Sequence, residues 1–546
     1  PQPANLSSWY SVPTLKAPIE ADRLRFNSSQ SYSISRLVKT KNDSQVRISA
    51  DYFRNVLRQN TANSSTYYFA ETPTTTTEKH RMMLKKDVFN FSIDKKINTE
   101  KHYGSMRFSV NAKQDDALSE LESTGHANLS QRVRTPEANV KGYITTTQNR
   151  ERGTLSLQTI VDYHHARNDL YINTNSESIQ SNLWHNNSEV AWRTTKNGFT
   201  QKYNFDVDFQ HLNVRNGHTL LGFNSSPSLT YNKGKWRASV RQGMALKYFT
   251  QQRKWYFLVS PSLYANYKKS SRTETNASFG YNQSIQGLSD FALDRYQTNY
   301  RTWRVSPTFM PHTHSLNFNF THNYKRVVKE FFSNFSLMAN RMWSNSVVDM
   351  QISNGNYLMT YAQHNTKNTN LTGRFWLSKG FYKQHFKTSC GISASYGDGE
   401  QYTAGKVVGY KYRSLMLSPS LTYSPSWAFV TYSGDFTLSK STSDNASMAS
   451  RFNWKQSLTL TSTIQKVDLS LSGIYYHNQL EGATLNTFLA DAKVTWRQKN
   501  FLVLATLANI FNKRNYVETS YSGVGIFTNS YELRPRELIL SFEFRF

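Results

Sequence analysis

Apolar and polar residues alternate along this chain with a period of two, segment after segment. Tyr203, Phe205, Val207 and Phe209 interleave with Asn204, Asp206, Asp208 and Gln210. Leu316, Phe318 and Phe320 interleave with Ser315, Asn317, Asn319 and Thr321. Val46, Ile48, Ala50 and Tyr52 alternate with Arg47, Ser49 and Asp51, and Phe89, Phe91 and Ile93 with Asn90, Ser92 and Asp94. Further on, Phe488, Ala490, Ala492, Val494 and Trp496 face one way while Asp491, Lys493, Thr495 and Arg497 face the other. A period of two puts each set on one face of a β-strand. Charged residues in the polar set require water on that side. One such strand fits a soluble sandwich equally well. Some twenty or more, roughly 10–14 residues long and in one undivided chain, point to a large transmembrane barrel.

The breaks between these segments alternate between short and long. Reading back from the C-terminus, the short ones are Arg497 to Asn500, Gln465 to Val467, Ser424 to Trp427, Lys379 to Lys383, Arg326 to Lys329 and Lys268 to Arg272. Between them lie polar stretches expected to be long loops: Asn512 to Leu533, Lys440 to Ser450, Ser395 to Tyr410, Asn345 to Thr366, Gln286 to Thr313 and Ala166 to Asn186. Bacterial barrels have short periplasmic turns and longer extracellular loops. With the C-terminus periplasmic, every long stretch falls outside. The parity blurs before residue 150, where Arg134 to Ala138 reads as a turn or as part of a loop beginning at Lys113. Leu57 to Lys85, with Thr74 to Thr77 inside it, reads as a solvated loop. The first clear strand, Gln30 to Val38, is followed by a short turn at Lys39 to Ser44. That makes it the second strand of a hairpin whose partner lies earlier. The expectation is an all-β, antiparallel outer-membrane barrel of about 22 to 24 strands, with residues 1–29 as an N-terminal segment and residues 30–546 as the barrel.

Composition agrees with this picture. The chain has 546 residues, 38% hydrophobic and 14% aromatic, with mean hydropathy −0.64. No apolar stretch approaches the ~18 residues of a spanning helix; the best, Phe501 to Ala505, is broken by Thr506 and Asn509. A closed barrel needs only alternate residues to be apolar, so low mean hydropathy is expected of it. The net charge is +28, from 65 Lys and Arg against 37 Asp and Glu. Much of it lies in the short breaks, such as Lys233-Gly234-Lys235 and Lys268-Lys269-Ser270-Ser271-Arg272. That dispersal fits lipid phosphates, including lipopolysaccharide, or solvated turns better than a nucleic-acid groove, and no nucleic-acid partner is expected. The single cysteine, Cys390, lies on the apolar phase of its segment and forms no internal disulfide framework. The chain opens at Pro1 with no signal peptide, as a processed or truncated product would.

The last segment places Leu538, Leu540, Phe542, Phe544 and Phe546 on one face, with Ser541, Glu543 and Arg545 opposite. This amphipathic terminal strand with an aromatic last residue resembles the signal read by the bacterial barrel-assembly machinery. Upstream, the run from Leu507 to Tyr516 holds Asn509, Ile510, Phe511, Asn512, Lys513, Arg514 and Tyr516. It resembles the penultimate-strand motif of TonB-dependent receptors, and Arg534-Pro535-Arg536 stands where that family carries a Pro-Arg pair before its last strand. Arg25-Phe26-Asn27-Ser28-Ser29 is similar to the early barrel of Bacteroidota members. The resemblance implies an outer-membrane transporter of a nutrient too large for porins, with TonB and a surface lipoprotein as partners. It also implies a plug domain, for which residues 1–25 are too few. Either that domain lies upstream, or the chain is a plugless relative serving as a scaffold subunit of an outer-membrane assembly or secretion complex.

No enzyme motif is found: no P-loop, dinucleotide glycine pattern or nucleophile elbow. His164-His165 and His312-Thr313-His314 lack metal-site spacing, and adjacent histidines on a strand face opposite ways. Asp115, Asp116, Glu120 and Glu122 read as a solvated loop rather than a calcium site. No cofactor or metal is expected. Trp9, Tyr10, Tyr67, Tyr68, Phe69, Tyr296, Tyr300, Trp303 and Tyr402 fall outside the expected strands, as loop packing or as stacking surfaces for a sugar or peptide. Asp206, Asp208, Asp491, Lys493 and Arg497 are expected to face the lumen.

Overall fold

The computed structural model describes Tyr10, Arg23 and residues 26–40, 44–67, 74–99, 101–123, 128–353, 356–403, 405–444, 447, 449–480, 483–521 and 525–544. The sheet opens with β1 (Phe26–Thr40), β2 (Ser44–Tyr67), β3 (Thr74–Asn98), β4 (His102–Ser123), β5 (Leu129–Arg150), β6 (Gly153–Ile172) and β7 (Asn175–Lys196). It continues through β8 (Phe199–Asn213), β9 (Gly217–Ser225), β10 (Ser228–Lys233), β11 (Trp236–Phe249), β12 (Lys254–Ser270) and β13 (Thr273–Ile285). A loop carrying β14 (Arg295–Asn299) and β15 (Thr302–Val305) leads to β16 (His312–Arg326) and β17 (Phe331–Ser344). A second loop holds β18 (Val347–Ser353) and β19 (Asn356–Ala362). Then come β20 (Thr366–Phe381), β21 (Phe386–Thr403), β22 (Lys406–Tyr423), β23 (Phe429–Ser443), β24 (Arg451–Ile464), β25 (Val467–Gln479), β26 (Thr484–Arg497) and β27 (Phe501–Ala508). The last loop hairpin, β28 (Asn515–Tyr521) and β29 (Gly525–Glu532), precedes the final strand β30 (Glu537–Phe544).

The wall is an antiparallel meander. β9 and β10 are halves of one strand, each pairing with both β8 and β11. Pro227 lies in the break between them, as expected of a residue with no N–H to give the ladder. Counted so, twenty-three wall strands run among the described residues, and the six strands β14, β15, β18, β19, β28 and β29 belong to loops. The six short turns expected in the second half, between Lys268 and Asn500, all lie at one end of the barrel. Asn197 and Gly198, both at positive φ, make the tight β7–β8 turn, as a two-residue hairpin turn demands.

The ring joins at its loop end through the last hairpin. β29 adds to the upper half of β2, Thr61↔Tyr531 through Tyr67↔Gly525. On its other side the Asn478 amide of β25 donates to the Val517 carbonyl of β28 at 2.8 Å. Lower down, β1 pairs with β2 and β30 with β27.

The expected two faces are present all round the wall at the height of the apolar band. Cross-strand partners carry one apolar set around the outside: Phe91↔Val110, Val190↔Phe205, Leu246↔Phe257, Phe279↔Phe318, Leu417↔Phe436 and Val503↔Phe542. Leu417 stays 41% and Phe205 51% exposed in the isolated chain, which no water-soluble surface of this extent would tolerate. Cys390 belongs to this outer face, opposite Leu377 and Pro419. The inner face is polar. Asp208 is fully buried there, accepting from His185 at 2.8 Å and from Gln210 at 3.1 Å. Asp206 accepts from Asn224 at 2.6 Å.

The wall is uneven in height. β2 to β7 have 20–25 residues each, whereas β23 to β26 have 13–15. A strand of ~22 residues covers roughly 70 Å along its axis, and even tilted by ~40° it rises well beyond an apolar band of about 25 Å. The upper halves of β2 to β7 correct several loop expectations. Residues 57–67 and 74–85 are the paired upper halves of β2 and β3; Lys113 to Ala138 lies mostly in β4 and β5. Ala166 to Asn186 is the β6–β7 hairpin with a two-residue turn, and Ser395 to Tyr410 is largely β21 and β22. Asp115, Asp116, Glu120 and Glu122 are strand residues of β4, with Asp116 held by the Arg132 guanidinium at 2.6 Å.

Candidate functional site: the lidded mouth

Above the apolar band the alternation in β2 to β7 changes phase. On β6 the lower outward residues are Leu155, Leu157, Val161 and Tyr163, and the upper outward ones are Arg167 and Asp169. Ala166 and Leu170 turn to the lumen instead, both essentially buried. Ile179 and Leu183 of β7, Val133 of β5, Leu212 of β8 and Leu220 of β9 join them. The outside becomes a polar surface, where Arg132–Asp116 and Arg167–Asp169 pairs form. The inside becomes an apolar seat.

The loop between β13 and β16 fills that seat. A short 3-10 turn, Leu288–Phe291, starts it, and the Asp290 carboxylate accepts from the Gly287 N–H at 3.2 Å. Leu288, Phe291, Leu293, Tyr296 and Met310 pack on the seat, with Phe291 edge-on to Phe249 at 6.5 Å between centroids. Burial raises the Asp290 carboxyl above its usual range, with Arg304 and the Gly287 N–H opposing. Tyr10 lies in the same apolar cluster.

Two loops make one lid. β15 pairs parallel with β19, which pairs with β18, and β18 bridges to β21 at Asp349↔Tyr402. Arg301 lies over the Tyr357 ring at 4.7 Å, Arg304 over Tyr361 at 5.7 Å and Arg295 over Trp303 at 4.9 Å. The far edge of the lid latches to the tall wall. Glu78 of β3 accepts from the Arg301 guanidinium at 2.5 Å and from the Tyr300 hydroxyl at 2.9 Å, and His80 lies 3.3 Å away. The Tyr300 N–H donates to Gln131 of β5 at 2.7 Å. Burial pushes the Tyr300 hydroxyl well above the usual tyrosine range.

Of the aromatics expected in loops, Tyr296, Tyr300 and Trp303 therefore meet in the lid, whereas Tyr402 is a residue of the wall strand β21, where it bridges to Asp349 of the lid. Tyr296 is buried in it, Tyr300 serves the latch, and Tyr402 packs beside His364 at 5.8 Å. Trp9, Tyr68 and Phe69, and the Tyr67 side chain, lie outside the described residues. His164 and His165 do face opposite ways: His164 sits 3.5 Å from Glu137, and His165 bonds Asn182 at 2.7 Å. Among the described residues no three potential metal ligands come together. Glu78, Arg301 and the apolar seat escaped sequence reading. The inverted alternation of Ala166, Leu170, Ile179 and Leu183 was the signal that could have found the seat.

The residues of the C-terminal motif meet at a different place, the corner where β27 leaves the wall and β30 returns. Asn509, buried and at positive φ, donates to the carbonyls of Lys513 at 2.8 Å and Arg534 at 2.7 Å, and accepts from the Lys513 N–H at 3.0 Å. Its own N–H goes to Asp491 at 2.8 Å. Asn512 accepts from the Arg536 N–H at 3.1 Å. Arg534 pairs with Glu537, and its N–H reaches the Arg23 carbonyl at 2.8 Å. The Arg23 guanidinium pairs with Asp491. Phe511 packs outside against Phe488 at 5.2 Å, and buried Tyr516 packs on Tyr476 at 5.1 Å. A cavity of about 220 Å³ lies between Arg23, Asp491, Asn509 and Pro535. This knot is architectural. The terminal stripe, Leu538, Leu540, Phe542 and Phe544, lies on the outer face, 57–67% exposed; Phe546 lies outside the described residues.

No family model matches the chain, and no curated protein matches it. Solved structures similar to it include the siderophore receptor PirA from Pseudomonas aeruginosa, 11% identical, with 95% of this chain and 81% of that one covered and a TM-score of 0.45. The FrpB iron transporter (F3-3 variant) from Neisseria meningitidis is 9% identical, with 94% and 81% covered and a TM-score of 0.46. The outer membrane transporter YddB from Escherichia coli is 10% identical, with 89% and 76% covered and a TM-score of 0.45. The chain's own geometry carries the assignment of its setting. Apolar residues ring the outside, polar ones line the inside, and the backbone bonds run between strands, which suits hydrocarbon only as a barrel of outer-membrane type.

Proposed function

We propose that this barrel is a gated outer-membrane transporter of the TonB-dependent kind, taking up a solute too large for porins. One observation carries the reading: a wall of twenty-three strands among the described residues surrounds a polar lumen, and a lid latched to the tall wall lies across its mouth. A perimeter of this size exceeds what side chains alone can fill. A permanently open pore of that width would not need a lid seated on its own apolar patch. The C-terminal motif and the terminal strand support the family reading on the residues they share with it. In operation the solute would be held at the outer loops, the Glu78–Arg301 latch would release, and a plug would rearrange to admit it, driven through TonB.

The test is growth of the producing cell on complexed nutrients, with the barrel intact, deleted, or present in a strain without TonB. Loss of growth on one nutrient class in both altered strains is expected. Normal growth on every nutrient in the deletion strain, with the barrel purifying in a stoichiometric outer-membrane complex, would establish the scaffold reading instead.

A further inference from the structure

We propose that the short-turn rim of the barrel is a binding ring for anionic phospholipid headgroups of the adjoining leaflet. The proposal rests on the membrane setting and is independent of transport.

Charge is distributed unequally between the two ends. Eleven short turns join wall strands at the rim, and ten carry Lys or Arg in the turn or within two residues of it. The exception is 424–428. At the opposite end four of the eleven connections, 68–73, 124–128, 173–174 and 480–483, with the same flanks, contain neither Lys nor Arg, against one of eleven at the rim. The acidic residues compensate this only in part: at the rim Arg497 pairs with Asp468, but other cations there have no such partner. Among the described residues no carboxylate comes within ion-pair distance of Lys233, Lys235, Lys269, Arg272 or Lys383, all of them exposed. Cations left unpaired so close together repel one another, and an external anion relieves that.

Depth decides which anion. Just inside the rim the outer face carries rings in pairs: Trp236–Tyr267 at 4.5 Å, Phe199–Tyr231 at 4.9 Å, Trp496–Phe501 at 5.2 Å and Phe381–Phe386 at 5.8 Å. Such girdles sit at the interface between hydrocarbon and headgroups. The cations lie one to three residues beyond, about 3–10 Å along the strand, which is phosphate depth. Lys95, Arg150, Lys233 and Lys379 lie within the last four residues of their strands on the outward phase set by Ile93, Gln148, Tyr231 and Leu377. Their side chains thus point toward lipid rather than into the lumen. Lys379 starts two residues inside Phe381, and its ammonium reaches toward the rim, 5.2 Å from the Phe381 ring and donating to the Lys329 carbonyl of the neighbouring turn. A polyanionic soluble partner would explain the charge but not the adjoining aromatic belt.

The experiment uses the whole barrel in nanodiscs of equal parts phosphatidylglycerol and phosphatidylethanolamine, with retained lipids counted by native mass spectrometry. Phosphatidylglycerol should be enriched, and high salt should erase the enrichment. A quadruple rim variant (Lys233→Gln, Lys235→Gln, Lys269→Gln, Arg272→Gln) should reduce it by about fivefold for each contacting cation removed. A matched loop-end variant (Arg215→Gln, Arg253→Gln, Lys254→Gln, Lys406→Gln) should leave it unchanged. Equal retention of both lipids by the native barrel, or equal losses in the two variants, would overturn the proposal. If the rim variant fails the heat-shift gel test for folding, salt dependence on the native protein decides alone. Heat-modifiable migration of the native barrel tests the membrane reading separately.

Discussion

The tall wall, β2 to β7, and the short wall, β23 to β26, follow one rule at lipid depth and different rules above it. On the short wall the strands stop shortly after the apolar stripe ends. On the tall wall they continue, and their apolar residues move from the outer face to the inner one. The comparison teaches that alternation records which solvent each face meets, height by height. Where outside changes from hydrocarbon to water and inside changes from water to a folded lid, the same backbone inverts its pattern.

The largest test of this difference acts on the latch. Arg301→Ala leaves Glu78 buried beside the lid without its cation, a loss of about 3–5 kcal/mol for a buried pair. The lid should detach from the tall wall, and purified barrels in planar bilayers should show frequent conducting openings that the native protein lacks. Unchanged conductance would mean that the latch does not hold the mouth shut.

A pair of substitutions on the same outward phase separates the two heights. Leu417→Arg, at hydrocarbon depth, should cost about 2–4 kcal/mol, and Leu118→Arg, high on β4, within about 0.5 kcal/mol of nothing. Refolding yield into lipid vesicles, read by the gel shift on heating, compares them. Equal effects would place the upper wall in the membrane.

Asn509→Ala removes three side-chain hydrogen bonds from the corner beside β30 and keeps a non-glycine residue at positive φ. A cost of about 1–3 kcal/mol follows, seen as a lower unfolding temperature on the same gels with the lid intact.

The smallest effect is a titration. Burial pushes the Glu518 carboxyl of β28 up to about 7, with a hydrogen bond from Tyr531 at 3.2 Å opposing. A raised folded-state pKa favours the docked hairpin fully below the ordinary glutamate value and loses that contribution as pH rises through about 7. Amide exchange in β29, corrected for its intrinsic rate, should therefore be slower at pH 5 than at pH 8. Glu518→Gln should flatten the difference.

Much of the fold was legible because hydrocarbon imposes a strict code. Leu316, Phe318 and Phe320, or Phe488 to Trp496, could be assigned to their faces by counting in twos, and the turns from Lys268 to Asn500 fell where expected. The upper tall wall was illegible for the same reason. Residues 74–81 contain no apolar side chain to mark either face, and Glu78 among them meets the polar lid groups Tyr300 and Arg301, so a strand of this composition reads as a loop. The candidate site was harder still. Glu78 and Arg301 lie 223 positions apart, so only the closing of the ring brings them together. The C-terminal motif was visible as a pattern, yet its role as the knot around Asn509 needed the structure.

The seat behind the lid also has a bearing on how such a mouth can diversify. The tall wall is built from neighbouring hairpins and offers its apolar surface before the residues that cover it are reached along the chain. A grafted loop need only present a few greasy side chains at the spacing of Leu288, Phe291 and Leu293 to find its berth. The residues that neither seat the loop nor latch it are then free to vary, so selectivity could be re-cut in residues 302–305 and 347–362 while the wall, Tyr296 and the latch at Tyr300 and Arg301 stay as they are.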